Sequence, residues 1–440
     1  MEPTNIKHPA SPESAAASHA VSRALARFLE SSPTSFHAVE NIRTALIKEG
    51  FTELCENRKW QVTSGGKYFV LRNGSSIAAF VVPEHPFRGM RIFASHSDSP
   101  AFKVKENPEL ESDGHYIRLN VERYGGMLCA PWFDRPLSVA GRVVTKDLET
   151  GTFRTKLVDI DRDLVLIPNL AIHMNREANN GYKYNPQKDM LPLYGDLTSK
   201  GTFLAEVADA AGVKESDILG HDLFLYNREK ASIWGARREF ISCGRLDDLQ
   251  CAYASLQGFL TGKCREYLSV CCVLDNEEVG SGTKQGAAST FLLDTLTRIY
   301  GCLGLDREDY LIHLSDSLMV SADNAHAVHP NHADKADPSN RPYINGGIVI
   351  KFNAAQKYCT DGVSAAMFRD ICQSAQVPVQ TFANRSDMAG GSTLGNISNT
   401  RVALNTVDIG LPQLAMHSPY ETAGVYDTGY LIRAAREFYR

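Results

Sequence analysis

The chain has 440 residues, of which 43% are hydrophobic and 22% are charged, and its formal net charge at pH 7 is -5. Because this length exceeds the size at which a single core stops growing, we expect two domains. The slightly acidic balance gives no reason to expect nucleic acid or an anionic membrane surface as a partner. No run of about 18 apolar residues occurs, so no membrane span is predicted.

The N-terminal segment and the cysteines indicate the cellular context. Residues 1–19 are rich in Pro, Ser and Ala and contain no apolar signal core, so we predict a disordered tail. The ten cysteines are scattered and form no Cys-x-x-Cys pair. This usage is typical of reduced cysteines in a cytosolic protein, with neither a disulfide framework nor a cysteine-based zinc site. We therefore expect a cytoplasmic protein.

The first candidate site residues follow a predicted strand. Helical spacing of apolar residues predicts two helices before residue 50, and strands are predicted at 69–71, 77–82 and 90–95. The last of these runs into His96-Ser97-Asp98. Residues two apart on an extended chain face the same way, and a metal-binding histidine usually needs a carboxylate to orient it. His96 is a candidate ligand and Asp98 a candidate orienting group. The alternative is a polar loop histidine.

The predicted secondary structure of residues 101–240 differs from that of the residues before them. Short alternating strands are predicted at 116–122, 137–145, 152–158 and 164–168, and helical pattern is sparse apart from 202–211. We interpret this block as a β-rich domain inserted into the first one. It carries His173, which lies among apolar residues, where a structural histidine is the common alternative to a functional one.

An acidic turn is the expected site of the first domain, which resumes at residue 241. Residues 270–274 form an apolar run without polar alternation, which predicts a strand buried on both faces of a parallel sheet. Asp275, Asn276, Glu277 and Glu278 follow directly. Ligands of open α/β sheets bind beyond the carboxyl ends of the strands, so a site is expected here.

The two adjacent glutamates need a neutralising partner, because like charges at close range raise each other's pKa. A metal would serve if one glutamate binds it while the other handles protons. The alternative is a solvated acidic turn. Upstream, Asp247 and Asp248 precede a helical pattern at 249–260, where the ordinary role of an aspartate is to cap the helix.

Three more candidates lie in the C-terminal part. Strands are predicted at 310–314, 347–352 and 402–405, and the second of these carries Lys351. Asp323 lies just after strand-like sequence, and His417 lies between Met416 and Ser418. The glycine-rich residues 386–395 lack the Gly-Lys-Ser/Thr ending of a phosphate loop, so nucleotide binding is rejected.

The polar residues at element ends form one candidate set. Nitrogen and oxygen ligands of this kind suit zinc or a similar divalent ion. One bridging carboxylate plus two ligands for each ion would build a two-metal site with the ions about 3.5–4 Å apart. The set comprises His96, Asp98, Asp247, Glu277, Glu278, Asp323 and His417.

Five segments of the sequence resemble the aspartyl aminopeptidase family of dinuclear zinc exopeptidases. They are His-Ser-Asp-Ser-Pro at 96–100, Arg-Leu-Asp-x-Leu at 245–249, Asp-Asn-Glu-Glu-Val-Gly-Ser at 275–281, Ser-Ala-Asp-x-Ala-His-Ala-x-His-Pro at 321–330 and Met-His-Ser at 416–418. The likeness extends from about Ala24 to the C-terminus. It implies an α/β catalytic domain, residues 20–100 and 241–440, with a mostly parallel central sheet flanked by helices. Residues 101–240 would form an inserted β-rich dimerisation domain.

The resemblance also implies the metal ligands. Asp247 corresponds to the carboxylate that bridges two zinc ions. His96 and Asp323 would complete the shell of one ion, and Glu278 and His417 that of the other. The expected cofactor is two Zn2+ per subunit, with one site open to exchange with Mn2+ or Co2+.

Further roles follow from the same resemblance. Glu277 matches the general base and acid. Asp98 would contact the metal ligands without binding the metal itself. His326 would lie near the scissile carbonyl. Lys351 would pair with an acidic substrate side chain, and Tyr358 would contact the substrate nearby. The alternatives are a strand-edge lysine for Lys351 and a packed aromatic for Tyr358.

The family commonly forms dimers that assemble into tetrahedral dodecamers, and His173 resembles a histidine that enters the neighbouring subunit's site. Three positions depart from the family pattern, namely Asp248 in place of Asn, Tyr420 in place of Arg, and Pro136 in place of an acidic residue. None of these is a proposed ligand, but they put fine substrate preference in doubt.

The implied reaction is removal of an N-terminal Asp or Glu from peptides by a water molecule that two zinc ions share. Two alternatives remain open. A related enzyme would act on neutral N-terminal residues or on N-acylated amino acids. A protein of a different class would use the same fold for non-catalytic assembly or cargo binding, although the complete set of predicted ligands argues against this.

Overall fold

The structure, a computed structural model, describes residues 12–440. Among these residues no helix combines the length and the apolar character that crossing a membrane requires. The helices are α1 (Pro12–Glu30), α2 (Ser35–Lys48), α3 (Pro186–Asp189), α4 (Phe203–Ala211), α5 (Leu246–Thr261), α6 (Phe291–Cys302), α7 (Arg307–Ser315), α8 (Gly362–Ser374), α9 (Leu394–Ser398) and α10 (Asp427–Phe438).

The strands of the described part form three sheets. In chain order they are β1 (Thr52–Leu54), β2 (Lys67–Arg72), β3 (Ser76–Val81), β4 (Gly89–His96), β5 (Ala101–Ser112), β6 (Tyr116–Tyr124), β7 (Leu137–Lys146), β8 (Phe153–Asp159), β9 (Leu193–Asp196), β10 (Gly220–Asn227), β11 (Ser232–Trp234), β12 (Phe240–Cys243), β13 (Tyr267–Leu274), β14 (Leu318–Ala322), β15 (Ala325–His326), β16 (Ile348–Phe352), β17 (Val379–Ala383), β18 (Asn405–Gly410), β19 (Pro412–Leu414) and β20 (Glu421–Gly424).

The largest sheet has nine strands in the order β1-β2-β3-β13-β4-β14-β18-β16-β17. Its pairs are parallel except β2–β3, β3–β13 and β16–β18. Helices cover both of its faces, which explains why its central strands are apolar along their whole length. The predicted α/β fold with a mostly parallel central sheet is therefore confirmed.

Strand β13 shows how one apolar run serves two cores. Successive side chains of a strand point to opposite faces. Cys271 and Val273 pack into the core that contains α5 and α10, whereas Val270 and Cys272 pack into the core that contains α6. All eight residues of β13 are buried, so the acidic turn that follows it is held by a rigid element.

A second sheet has six strands in the order β8-β7-β10-β5-β6-β9, and its pairs are antiparallel. All its strands come from residues 101–227. It has its own apolar core, in which Phe102, Val139 and Leu223 pack with Phe203 of α4. This unit coincides with most of the predicted inserted segment, whose role in dimerisation stays a prediction. The third sheet has the order β11-β12-β20-β19-β15.

One predicted strand is wrong, and the disordered tail predicted at 1–19 is contradicted over 12–19, which are helical. Residues 1–11 lie outside the described part, but α1 begins at Pro12, because the alanine-rich sequence that follows has high helix propensity. The strand predicted at 310–314 is part of helix α7. Its start is fixed by a capping box, in which the side chains of Asp306 and Asp309 each accept the other's backbone N–H.

Two further strand predictions are displaced. The strand predicted at 402–405 begins only at Asn405 and extends to Gly410, because the buried Asp408 interrupts the apolar pattern that a buried strand shows in sequence. Residues 164–168 contribute only isolated bridges.

The twelve-residue strand β5 was not predicted, because its outer half carries charged residues that lie near the surface.

Candidate active site

The acidic turn after β13 meets the end of β4 at the carboxyl edge of the large sheet. The two strands are parallel neighbours, and Leu274 lies opposite His96. The carboxylate of Asp98 accepts hydrogen bonds from the backbone N–H groups of Glu277, at 3.1 Å, and of Glu278, at 3.2 Å. Asp98 therefore fixes the backbone of the acidic turn.

The ring of His96 has a defined tautomer. Its Nδ1 lies 3.0 Å from the carbonyl oxygen of Asp98. Because a carbonyl oxygen only accepts, Nδ1 carries the proton and the lone pair of Nε2 is free for a metal. That Nε2 lies 3.5 Å from Oδ1 of Asp247 and 3.8 Å from Oδ1 of Asp323.

The ring of His417 is held in the same way from another part of the chain. Its Nδ1 donates to the carbonyl oxygen of Gly126. Its Nε2 lies 3.2 Å from Oδ2 of Asp247 and 3.4 Å from Oε2 of Glu278. Asp247 thus presents one carboxylate oxygen to each histidine, which is the arrangement that a bridging ligand requires.

The capping role considered for Asp247 is not what the structure shows. Asp247 has non-helical backbone angles, φ -83° and ψ 110°, and the residue at the N-cap of α5 is Arg245. The Asp247 carboxylate faces the two histidine rings instead of the helix.

The donor set fits divalent cations. Nitrogen and oxygen ligands about 2.0–2.2 Å from a tetrahedral ion lie roughly 3.3–3.6 Å apart. Two of the four separations around the rings, 3.4 Å and 3.5 Å, lie in this range, and the other two, 3.2 Å and 3.8 Å, lie just outside it. Several buried carboxylate oxygens also have no hydrogen-bond partner among the described residues, namely Oδ1 of Asp247, Oδ1 of Asp248 and Oε1 of Glu278. Such oxygens are costly unless they bind a cation.

Buried negative charge explains the pKa shifts in the cluster. Burial, followed by the charge of Asp247, raises the pKa of Glu278 well above its usual range. Burial and the nearby charges of Asp323, Asp98 and Asp247 raise the pKa of Glu277 to about 8, against the opposing effect of His96. A bound cation opposes these shifts, because it stabilises the ionised carboxylates.

A cavity of about 170 Å³ opens beside this cluster. Lys351 is only 3% exposed, and its Nζ lies 3.3 Å from Oδ2 of Asp323 and 5.4 Å from the centroid of the Tyr358 ring. Among the described residues that line the cavity, Lys351 is the only lysine or arginine. They are Asp247, Glu277, Glu278, Asp323, Asn324, Ala325, His326, Lys351, Tyr358, Phe382, Gly391, Ser392, Thr393, Met416 and His417.

His173 is not brought to this cavity. It is exposed in the inserted segment, between β8 and α3. Its neighbours Leu170, Ile172 and Met174 are exposed as well, Met174 by 71%. Within one chain, the loop therefore presents an apolar surface that this subunit leaves uncovered.

Two residues that hold the site were not found from sequence. The hydroxyl of Tyr124 donates to Oδ2 of Asp98 at 2.6 Å. The buried carboxylate of Glu421 accepts from the backbone N–H groups of Asp247, at 3.0 Å, and His417, at 2.7 Å. The sequence offers no signal for Tyr124. Glu421 was detectable only as an acid four residues after His417.

The structure shows which groups contact the three residues that depart from the family pattern. Asp248 is buried and accepts the backbone N–H of His96 at 3.0 Å, and burial raises its pKa well above the usual range, which favours its neutral form. The hydroxyl of Tyr420 donates to the carbonyl oxygen of Lys230 at 3.0 Å. Pro136 accepts the backbone N–H of Arg228 at 3.2 Å.

Comparisons with known proteins find a family model that matches most of the chain. The model of the peptidase M18 family, described as "Aminopeptidase I zinc metalloprotease (M18)", matches residues 28–439. A relative from Clostridium acetobutylicum, named "Probable M18 family aminopeptidase 2", is 48% identical over 418 residues, which cover 94% of this chain and 96% of that protein.

Solved structures with the same fold include "Cryo-EM structure of the Ape4 and Nbr1 complex". It has a TM-score of 0.92 at 35% identity and covers 96% of this chain and 86% of that one. Another is "Structure of S. cerevesiae mApe1 dodecamer", with a TM-score of 0.83 at 26% identity, covering 95% of this chain and 96% of that one.

Proposed function

The chain belongs to the M18 family of zinc metallo-aminopeptidases, and from this premise we propose that it removes an N-terminal aspartate or glutamate from peptides with the help of two zinc ions. His96 and Asp323 would hold one ion, Glu278 and His417 would hold the other, and Asp247 would be shared by both. This assignment is supported by the carboxylate of Asp247, which directs one oxygen at the ring of His96 and the other at the ring of His417.

The residues around the proposed ions have different roles in peptide hydrolysis. Bound zinc lowers the pKa of a water molecule and polarises the scissile carbonyl. Glu277 takes the proton of the attacking water and later delivers it to the leaving amine. His326 donates a hydrogen bond to the developing oxyanion, a type of contact worth about 2.7–4 kcal/mol. Asp98 keeps the backbone of Glu277 and the ring of His96 in position.

The observation that carries the acidic preference is the burial of Lys351 in the cavity wall. A buried ammonium group is stable only beside a negative charge, and Asp323 provides one at 3.3 Å. When Asp323 binds a cation, its charge is shared, and Lys351 gains a new partner in the carboxylate of the first substrate residue. Tyr358 lies against the Lys351 ammonium and completes this wall.

The test is Lys351→Met, which keeps the length of the side chain and removes its charge. We expect kcat/KM on Asp- and Glu-peptides to fall roughly 10- to 150-fold, as for the loss of a charged hydrogen bond of about 1.5–3 kcal/mol, whereas Leu-peptides change little. The control is Lys357→Met, which alters an exposed lysine one residue before Tyr358. Zinc content is measured in both variants. Equal losses on acidic and neutral peptides would remove Lys351 from substrate selection.

One observation favours a second candidate. Because Asp323 already offsets the charge of Lys351, a neutral first residue is the alternative substrate, as are N-acylated amino acids. A panel of Asp-, Glu-, Leu- and acetylated substrates separates these possibilities. Absence of hydrolysis on the whole panel by zinc-loaded protein would favour a non-catalytic assembly or cargo-binding role.

We further propose that the inserted segment joins two subunits and that His173 enters the partner's cavity, so that dimers, and dodecamers built from them, are the active form. The exposed apolar residues around His173 and the dodecameric M18 relative support this. We also place the protein in the cytoplasm, because all ten of its cysteines are free, as in reducing compartments.

A further inference from the structure

Glu421 links the two chain segments that carry Asp247 and His417, two of the ligands proposed above. One of its carboxylate oxygens accepts the backbone N–H of His417 at 2.7 Å, and the other accepts that of Asp247 at 3.0 Å. The side chain is 1% exposed. Asp247 and His417 are 170 residues apart in sequence, so the Glu421 carboxylate is a direct bridge between two distant parts of the chain.

The surrounding backbone makes this bridge rigid. Glu421 begins β20 and lies opposite Cys243 of β12. The chain then runs through Gly244 to Asp247, and a Cβ at Gly244 would lie only 2.7 Å from the carbonyl oxygen of Pro419. The two ligand-bearing segments are therefore packed backbone to backbone, and the position of Glu421 is set by the sheet.

The backbone of His417 needs such support. Its φ is 68°, in the left-handed region that non-glycine residues rarely adopt. Oε1 of Glu421 accepts the N–H of this residue, and the carbonyl oxygen of His417 accepts the N–H of Leu128 at 3.1 Å. The turn that aims the imidazole at Asp247 is thus fixed at both of its main-chain polar groups.

We propose that Glu421 is a positioning residue of the metal site, which sets the separation of the Asp247 carboxylate and the His417 imidazole through their backbone N–H groups. Glu421 does not line the cavity beside the cluster, and both of its carboxylate oxygens already accept backbone N–H groups. It lowers the cost of binding zinc, because the two ligands are already at the spacing that the ion requires. This inference rests on the proposed zinc site.

The test is the zinc affinity of Glu421→Gln, measured by competition with a chelator. The amide keeps the shape of the side chain but offers a single acceptor oxygen, so one of the two N–H groups loses its partner. We expect the zinc dissociation constant to rise roughly 10–100-fold, as for other groups that orient metal ligands. If Glu421→Gln does not fold, Glu421→Asp replaces it. That change keeps the charge but shortens the reach, and a raised dissociation constant is again expected.

Asp427→Asn is the matched control. Asp427 is also a fully buried carboxylate that accepts two backbone N–H groups, from Asn345 at 2.6 Å and Gly347 at 3.0 Å. A merely structural role of Glu421 would give both variants lower thermal stability and the same zinc affinity. That result, or wild-type affinity in Glu421→Asp, overturns the proposal.

His417→Ala in the same assay separates the two levels of inference. If His417→Ala leaves zinc binding unchanged, the zinc site itself is wrongly assigned, and the role of Glu421 falls with it. If His417→Ala loses zinc while Glu421→Gln retains wild-type affinity, only the positioning role is wrong. Zinc loss in both, with Asp427→Asn unaffected, supports the proposal.

Discussion

Glu277 combines features that a proton-transferring group needs. It lines the cavity beside the proposed metal ligands, and its backbone N–H donates to the carboxylate of Asp98. Burial and neighbouring negative charges raise its pKa to about 8, whereas a bound cation would lower it. A carboxylate balanced between these effects is able to accept and return a proton near neutral pH.

Glu277→Gln should therefore keep zinc and fold but lose turnover. The amide has the same shape and cannot take a proton, so we expect kcat to fall roughly 10²–10⁴-fold. Metal content and thermal stability should stay at wild-type values. Glu278→Gln is the contrasting variant, because its loss of activity should accompany a loss of zinc. Near-normal kcat in Glu277→Gln would exclude its role as general base.

At the scale of elements, the site lies where several strand ends meet. Parallel strands direct their carboxyl ends to one edge, so β4, β13 and β14 deliver His96, Glu277 and Asp323 to the same place. The inserted segment adds the last residue of β6 and the turn that follows it. Tyr124 donates to Asp98, and Gly126 accepts from His417. Both histidine rings thus depend, directly or through Asp98, on the end of β6 and the turn after it.

Tyr124→Phe tests this coupling between the two units. The variant loses the hydroxyl that donates to Asp98, a hydrogen bond to a charged group worth about 1.5–3 kcal/mol. We expect weaker zinc binding and lower thermal stability of the zinc-loaded protein. Tyr116→Phe is the control, because Tyr116 is an exposed tyrosine of the same strand. Unchanged zinc affinity in Tyr124→Phe would show that the Asp98 carboxylate does not need this donor.

At the scale of the whole molecule, the loop around His173 exposes apolar side chains and lies outside its own subunit's cavity. Apolar surface of this kind commonly marks an interface between proteins. A two-fold dimer would place the same loop of each subunit against its partner. Activity would then depend on assembly as well as on zinc.

Mixing two inactive variants tests this dependence. His173→Ala and Glu277→Gln should each be nearly inactive alone. In a dimer that contains one subunit of each, the His173→Ala subunit keeps its own Glu277 and receives His173 from its partner. After dissociation and reassembly of an equal mixture, about a quarter of wild-type activity should return, because half of the dimers are mixed and one site in each is intact. No recovery in mixed dimers would place His173 outside the partner's site.

Most residues of the candidate metal cluster could be selected from sequence patterns alone. His96, Asp247, Glu277, Glu278 and Asp323 lie at the ends of predicted strands or the start of a predicted helix, and a parallel sheet brings such ends to one edge. The apolar run of β13 revealed the buried strand, since both of its faces are covered. Short apolar runs were ambiguous, as α7 shows, because side-chain hydrogen bonds at a helix start decide what hydrophobicity alone leaves open.

The contacts between these residues are visible only in the folded chain. The tertiary structure determined that Asp247 offers one oxygen to each histidine, that Lys351 pairs with Asp323, and that Glu421 and Tyr124 hold the cluster from behind. These contacts join residues that are far apart in the chain, and each depends on sheet register, backbone angle and side-chain direction together. Sequence patterns report the local periodicity of the chain. They give no information about the distance between remote segments.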